Sequence, residues 1–166
     1  SMLGGAGNVV ANLKTLGCRA DLICFIGQDA AGEEVRRQLA AVSENSLAIE
    51  VAGFPTIEKT RVIAGNSHLL RIDNERRFDD VAEADAALEA ELDARIQAAD
   101  IILLSDYAKG MLSPERCQRI IKACRENGKP VIIDPKGSDY SKYADATVVK
   151  PNLKEFNQAT AMSASP

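Results

Sequence analysis

The sequence predicts an α/β protein: a mostly parallel sheet flanked by helices. Three observations carry that expectation. Short apolar runs at 101–104 (IILL), 131–133 (VII) and 147–149 (TVV) recur at helical separations, as buried parallel strands do. Each run breaks off into polar residues: Ser105-Asp106-Tyr107-Ala108-Lys109-Gly110, then Asp134-Pro135-Lys136-Gly137, then Lys150-Pro151-Asn152 with Glu155. Between the first two runs, Ser113 as N-cap, Pro114 at the first helical position and Gly128 beyond the last turn delimit a helix over 114–127. Ligands of open parallel sheets bind beyond the carboxyl ends of the strands. The polar clusters at those ends are therefore where chemistry is expected.

The remaining elements follow in order. Leu3-Gly4-Gly5-Ala6-Gly7-Asn8 leads into a helix with Val9, Leu13 and Leu16 at helical spacing and Gly17 as its stop. Residues 21–26 (DLICFI) read as a buried strand, and Asp29 as the cap of a helix with an apolar stripe of Val35, Leu39 and Val42. Residues 47–51 form a short strand. Residues 58–64 and 67–72 flank Gly65-Asn66, a two-residue turn suited to a β-hairpin. In that register Thr60, Val62, Leu69 and Arg71 share one face, and Arg61, Ile63, His68, Leu70 and Ile72 the other. Both faces are then partly apolar. That suits a lid or a subunit contact, and equally an edge pair packed on the core. Residues 79–93 are rich in acid, but Val81, Leu88, Leu92 and Ile96 keep helical spacing beneath, so an amphipathic helix with a solvated acidic face is expected. A short helical piece near 139–144 and a helix from about 153 complete the alternation.

The bulk numbers fit a globular chain and narrow its partners. Of 166 residues, 46% are hydrophobic and 27% charged, as in ordinary soluble domains. A net charge of −4 gives no basic footprint for nucleic acid or an anionic membrane, and no apolar run approaches a membrane span. Cys18, Cys24, Cys117 and Cys124 form no CxxC pair, and His68 is the one histidine, so a zinc site is not expected. Cys117 and Cys124 share a helical face with Ile120 and Ile121 and read as reduced core thiols of a cytoplasmic protein.

Several residue patterns suit particular chemistries. Gly5-Ala6-Gly7-Asn8-Val9-Val10 approximates a dinucleotide fingerprint, but Val10 stands at the third glycine position and no strand precedes it. Glycines ahead of a helix still let a ligand approach outward-pointing amides, and Asn8 adds a donor and an acceptor as a sugar hydroxyl needs. A plain helix cap has the same appearance. Asp106, directly after a strand, suits hydroxyls or the capping of the next turn. Lys109 and Lys136 suit anions. Asn152 and Glu155, three apart, both lie in the first turn of a helix, where a carboxylate is favoured by the dipole. Beside a polyphosphate it would partner hydrated Mg²⁺. No nucleophile–base–acid triad surrounds Tyr107, Tyr140, Tyr143 or His68.

Together, GGAGNVVANLKTLG, EKTRVI…LLRID, LLSDYAKG, IIDPKG and KPNLKEF resemble the ribokinase-like (phosphofructokinase-B) sugar kinases, over nearly all of residues 3–158. GG…N and NxxE alone indicate the superfamily, whereas SDYAKG followed by DPKG is narrower and is most like the heptose 7-phosphate kinases. The resemblance implies a partial ribokinase-like domain over 1–166 with a hairpin lid at about 58–73. It implies ATP and Mg²⁺ as cofactors, and transfer of the γ-phosphoryl to the anomeric hydroxyl of D-glycero-D-manno-heptose 7-phosphate, toward ADP-heptose and lipopolysaccharide core sugars. By the same resemblance Gly4, Gly5, Asn8 and Asp106 hold the sugar, with Lys109 on the substrate side. Arg61 or Arg71 meets its 7-phosphate. Lys136, Asn152 and Glu155 serve the nucleotide phosphates, Glu155 reaching the metal through water. The hairpin matches a lid that doubles as a dimer clasp.

The family's later DTxGAGD segment, which brings the catalytic base and an anion hole, does not occur in these residues. Nor does its N-terminal strand. The expectation is a fold truncated at both ends, with no catalytic base among these residues and little activity alone, because phosphoryl transfer needs both substrates positioned. Alternatives are a kinase for fructose 1-phosphate or a nucleoside, separable by an acceptor screen, and a non-catalytic sugar-phosphate-binding module. An oxidoreductase of Rossmann type would require nicotinamide binding.

Overall fold

A computed structural model describes residues 2–65 and 67–160. The chain divides between Ala86 and Ala87 into two compact units.

In the first unit, helix α1 (Gly5–Thr15) is followed by strand β1 (Ile23–Gly27), helix α2 (Ala30–Val42) and strand β2 (Leu47–Val51). β1 and β2 pair in parallel, from Ile23↔Leu47 to Gly27↔Val51. Parallel neighbours require a crossover, and α2 supplies it. α1 stops as expected: Gly17 takes φ 81°, and Cys18 N–H and Gly17 N–H bond to the carbonyls of Leu13 and Lys14, a Schellman motif. Its apolar stripe is offset from the sequence reading. Val10 is the buried residue, while Leu16 ends the helix as its C-cap and is exposed.

The hairpin consists of β3 (Glu58–Ala64) and β4 (Ser67–Asn74). Ala64 faces Ser67 across the turn, and Asn66 lies outside the described residues. A register shift between Val62 and Ile63 corrects the expected faces. Ile63 faces His68, but Val62 faces Leu70, Thr60 faces Ile72 and Arg61 faces Arg71, leaving Leu69 as the extra residue of a bulge. One inserted residue turns every later side chain to the opposite face. Val62, Leu70 and Ile72 consequently share a face with Thr60, while Arg61 and Arg71 share the other with Lys59 and Asp73. The strands lie almost wholly exposed.

Helix α3 (Ala82–Ala98) crosses the division between the units, with Ala84, Leu88, Leu92 and Ile96 buried along one stripe. The second unit continues with β5 (Ile102–Ser105), α4 (Pro114–Glu126), β6 (Val131–Asp134), a 3₁₀ turn at Ser141–Tyr143, β7 (Val148–Val149) and α5 (Leu153–Thr160). Its sheet is fully parallel, in the order β5-β6-β7. Cys117, Cys124, Ile120, Ile121, Val131 and Ile133 form its centre. Both cysteines are fully buried, and burial raises their thiols above the ordinary range, Cys117 to about 11. Ser113 caps α4 by accepting from Arg116 N–H. Arg116 then ties α4 to its surroundings, bonding Glu89 of α3 at 3.1 Å and the carbonyl of Met111. The tail at 161–166 lies outside the described residues.

Candidate active site

The parallel sheet of the second unit sets three chain ends side by side, and the predicted polar residues sit just past them. Asp106 is the first residue beyond β5, pinned by its N–H to the carbonyl of Asp134 at 2.9 Å, which extends the β5–β6 ladder. Its carboxylate is buried, the residue 4% exposed. Oδ1 accepts from Ala108 N–H at 2.6 Å, so the aspartate does cap the following turn, with Ala108 at φ 54°. Oδ2 accepts from the Tyr143 hydroxyl at 2.6 Å and from the Lys142 ammonium. Burial works to raise the Asp106 pKa, but the bonds from Lys142, Tyr143 and Ala108 outweigh it and hold the group below the ordinary aspartate value. Burial, followed by the bond to Asp106, pushes the Tyr143 phenol well above the usual range.

Lys136 lies two residues past β6, aimed by Pro135. Its N–H donates to the Tyr143 hydroxyl at 3.3 Å, and its ammonium pairs with Glu155 Oε1 at 3.2 Å. Past β7, Lys150 pairs with Asp134 at 3.2 Å, tying two strand ends. Asn152 and Glu155 open α5 as a reciprocal cap: Asn152 Oδ1 accepts from Glu155 N–H at 3.0 Å, and Glu155 Oε2 accepts from Asn152 N–H at 3.1 Å. Glu155 is 8% exposed rather than a solvent-facing cap. Burial opposes its ionisation, but Asn152 N–H and Lys136 prevail and keep it below the ordinary glutamate value. Tyr140 borders this corner, its phenol raised by burial and then by the charge of Glu155.

The structure thus joins Asp106, Lys136, Asn152 and Glu155 through unbroken contacts. Lys109 is half-buried in the loop after Asp106. The other expected residues belong to the first unit. Gly4 is the N-cap of α1, extended at φ −94° and ψ 175°, and no acidic residue occupies the first turn. Gly4, Gly5 and Asn8 are exposed, and a Cβ on Gly4 would meet nothing within 4 Å. Packing gives no reason for glycine there. Gly7 differs, since its added Cβ would lie 2.9 Å from that of Leu3. Arg71 forms a two-point bond to Asp73, at 2.6 and 2.8 Å. Arg61 faces Arg71 directly, a like-charge pairing that an anion would relieve.

Sequence reasoning missed Lys142 and Tyr143. Their signal was weak: an aromatic in the polar stretch GSDYSKYADA, whose burial depends on the 3₁₀ turn. It also missed a lock in the first unit. Asp29 accepts from Gly32 N–H at 2.8 Å and from Thr56 through N–H at 2.8 Å and hydroxyl at 2.6 Å, while Thr56 Oγ1 accepts from Gly27 N–H at 2.8 Å. The Thr56 hydroxyl bond leads in holding the Asp29 pKa down.

The donor set fits a triphosphate with its hydrated metal. Lys136 offers a half-exposed ammonium beside one ionised carboxylate. Among the described residues no cluster of three His, Cys, Asp or Glu side chains could hold a metal alone, and Mg²⁺ bound through phosphates needs one or two carboxylates only. No helix among the described residues is long and apolar enough to cross a membrane.

Parallel strands ending in an acid, a lysine and an asparagine–glutamate capping pair define an α/β protein with its charged residues gathered at the strand ends. Residues 1–164 match the pfkB family of carbohydrate kinases, and the chain belongs to that family. It is 44% identical over 163 residues to the bifunctional protein HldE of Caulobacter vibrioides, covering 96% of this chain and 33% of that protein. HldE of Mesorhizobium japonicum is 42% identical over 162 residues, with 96% and 32% covered. The chain spans about a third of the length of the curated relatives it matches. Among solved structures, a possible 1-phosphofructokinase from Thermotoga maritima superposes with a TM-score of 0.71 at 19% identity, covering 91% of this chain and 49% of that one. Ribokinase of Arabidopsis thaliana, complexed with ribose and ATP, gives 0.64 at 21%, covering 96% and 52%. Identities this low speak for the fold alone, which is ribokinase-like.

Proposed function

We propose that these residues are the sugar-binding and part of the phosphate-binding portion of an ATP-dependent kinase acting on D-glycero-D-manno-heptose 7-phosphate. The observation that carries the reading is the continuous chain Asp106–Tyr143–Lys136–Glu155–Asn152 at the strand ends. Likeness to HldE at 44% identity favours the heptose acceptor. In this reading Gly4, Gly5 and Asn8 present exposed amides and an amide side chain to sugar hydroxyls. Asp106, with lone pairs beyond those its three donors use, accepts from another hydroxyl. Arg61 and Arg71 share the hairpin face that meets the 7-phosphate, and Lys109 serves the substrate side from the loop after Asp106.

Lys136 would hold nucleotide phosphate oxygens and Glu155 a water of the metal, with Asn152 fixing Glu155 through their exchanged hydrogen bonds. Mg·ATP supplies the transferred phosphoryl group and the charge neutralisation it needs. Residues 1–166 contain no DTxGAGD segment, and in this reading none of them is the base for the attacking hydroxyl. A cytoplasmic setting follows from the substrates.

The hairpin's apolar face supports the dimer clasp. Leu70 and Ile72 are 50% and 56% exposed and share their face with Val62. Sedimentation should give a dimer that L70D dissociates; a monomeric wild type removes the clasp. The acceptor is tested by ATP-dependent transfer with the full-length product of the gene carrying these residues. Heptose 7-phosphate should outcompete fructose 1-phosphate and adenosine. Preference for either of the others reassigns the kinase, and binding without transfer favours the non-catalytic module.

A further inference from the structure

We infer that Tyr143 is a positioning residue that ties the sugar-facing carboxylate to the phosphate-facing lysine; the inference rests on the kinase reading above. The Tyr143 hydroxyl makes two bonds of opposite sense. It donates to Asp106 Oδ2 at 2.6 Å and accepts from Lys136 N–H at 3.3 Å. These partners stand just past the ends of the paired strands β5 and β6. A hydroxyl has one proton and two acceptor lone pairs, so a single oxygen fixes both strand ends relative to each other.

The phenol is itself held. Tyr143 is 2% exposed. Its N–H bonds the carbonyl of Tyr140 at 2.9 Å, and its ring lies 5.9 Å from that of Tyr140. On either side in sequence, the carbonyls of Lys142 and Ala144 accept from Gln118 of α4 at 3.0 and 3.2 Å. The 3₁₀ turn is thereby fastened to the helix packed behind the sheet. Lys142 sends its ammonium to the same Asp106 oxygen and lies 5.0 Å from the Tyr143 ring centroid. One turn therefore supplies both side-chain donors to Asp106 and the anchor for Lys136.

Phosphoryl transfer depends on holding acceptor and donor in register. A buried hydroxyl bonded to both sides supplies that register without touching either substrate. A phenylalanine would fill the same space, so what the hydroxyl adds is its two bonds, to the buried Asp106 carboxylate and from Lys136 N–H.

Y143F keeps the ring and removes the hydroxyl. Calorimetric titration of wild type and Y143F would use heptose 7-phosphate and, for the phosphate side, magnesium tripolyphosphate, which needs no adenine pocket. Y143F should weaken heptose 7-phosphate roughly tenfold, the factor expected for one lost hydrogen bond to a charged group, and tripolyphosphate by a smaller factor, because the bond on that side comes from the neutral backbone N–H of Lys136. K136M should then cost less tripolyphosphate affinity in Y143F than in wild type. Unchanged affinities in Y143F, or loss toward one probe alone, overturn the tie while leaving the kinase reading in place. Wild type binding neither probe overturns both. The wild type also offers a test free of substitution: proton NMR should show a slowly exchanging Tyr143 hydroxyl with a cross-peak to the Lys136 amide, and its absence removes the tie directly.

Discussion

Asn152 and Glu155 exchange hydrogen bonds, each side chain accepting the other's backbone N–H at 3.0 and 3.1 Å. This makes the pair a fold element before it is a ligand site, and the two roles are separable. N152A should lower stability by about 1 kcal/mol, as loss of an N-cap does. E155Q should keep the cap, since Gln serves the same position, while removing the charge that pairs with Lys136. Urea unfolding should find E155Q close to wild type, and titration with magnesium tripolyphosphate should find its metal-dependent binding gone. Retained metal-dependent binding would take Glu155 out of the phosphate site.

Acid should destabilise the second unit through Asp106. Its folded-state pKa is depressed, with burial opposed and overcome by Lys142, Tyr143 and Ala108. A depressed carboxylate stabilises the fold above its unfolded value, about 3.9, and that contribution fades as pH falls through the lower folded value. Thermal unfolding followed from pH 7 to 2 should show a decline beginning near pH 4. D106N should be less stable at pH 7 and flatter below pH 4, and an unaltered acid limb in D106N would contradict the assignment.

Arg116 should outweigh the other surface cations. Its side chain is 9% exposed and bonds both Glu89 and the Met111 carbonyl. R116A removes the side-chain donor to the Met111 carbonyl at a largely buried point and leaves Glu89 with Arg119, which pairs with it at 2.8 Å. Glu89 is 35% exposed, which discounts the cost of a fully buried pair to about 2 kcal/mol. K122A, by contrast, removes an exposed 3.8 Å pairing with Glu126 and should shift stability by less than about 0.5 kcal/mol. Chemical denaturation of both variants checks the ranking.

Two glycines should behave in opposite ways. A Cβ on Gly27 would lie 2.3 Å from the Phe54 carbonyl oxygen and 2.6 Å from Thr56 N, both backbone atoms that cannot swing aside. G27A should cost more than about 2 kcal/mol by overpacking and by breaking the Thr56 lock. G4A meets open space and should cost at most about 1 kcal/mol, the usual difference at an N-cap. Its effect belongs on sugar affinity, and circular dichroism melts paired with calorimetry separate the two.

The parallel strands and the helix from Ser113 to Gly128 were legible because their signals are local: apolar runs, a Ser-Pro start and a glycine stop. The cluster at the strand ends was legible for the same reason: Asp106 follows β5 directly, Lys136 comes two residues past β6, and Asn152 and Glu155 open the helix after β7. The hairpin faces were not, because a bulge at Leu69 leaves no mark on composition yet inverts every pairing beyond it. Tyr143 and Lys142 were not legible either. Their role depends on a 3₁₀ turn reaching back to Asp106, a contact between residues remote in sequence. Leu16 fell outside the core because its helix ended one residue earlier than its spacing suggested.

The most direct measurement of the account's central claim is a calorimetric titration of wild type and D106N with D-glycero-D-manno-heptose 7-phosphate. Saturable binding by wild type, weakened at least about tenfold in D106N as for a lost bond to a charged group, is the predicted result. Absence of binding by wild type, or equal binding by both proteins, would contradict it.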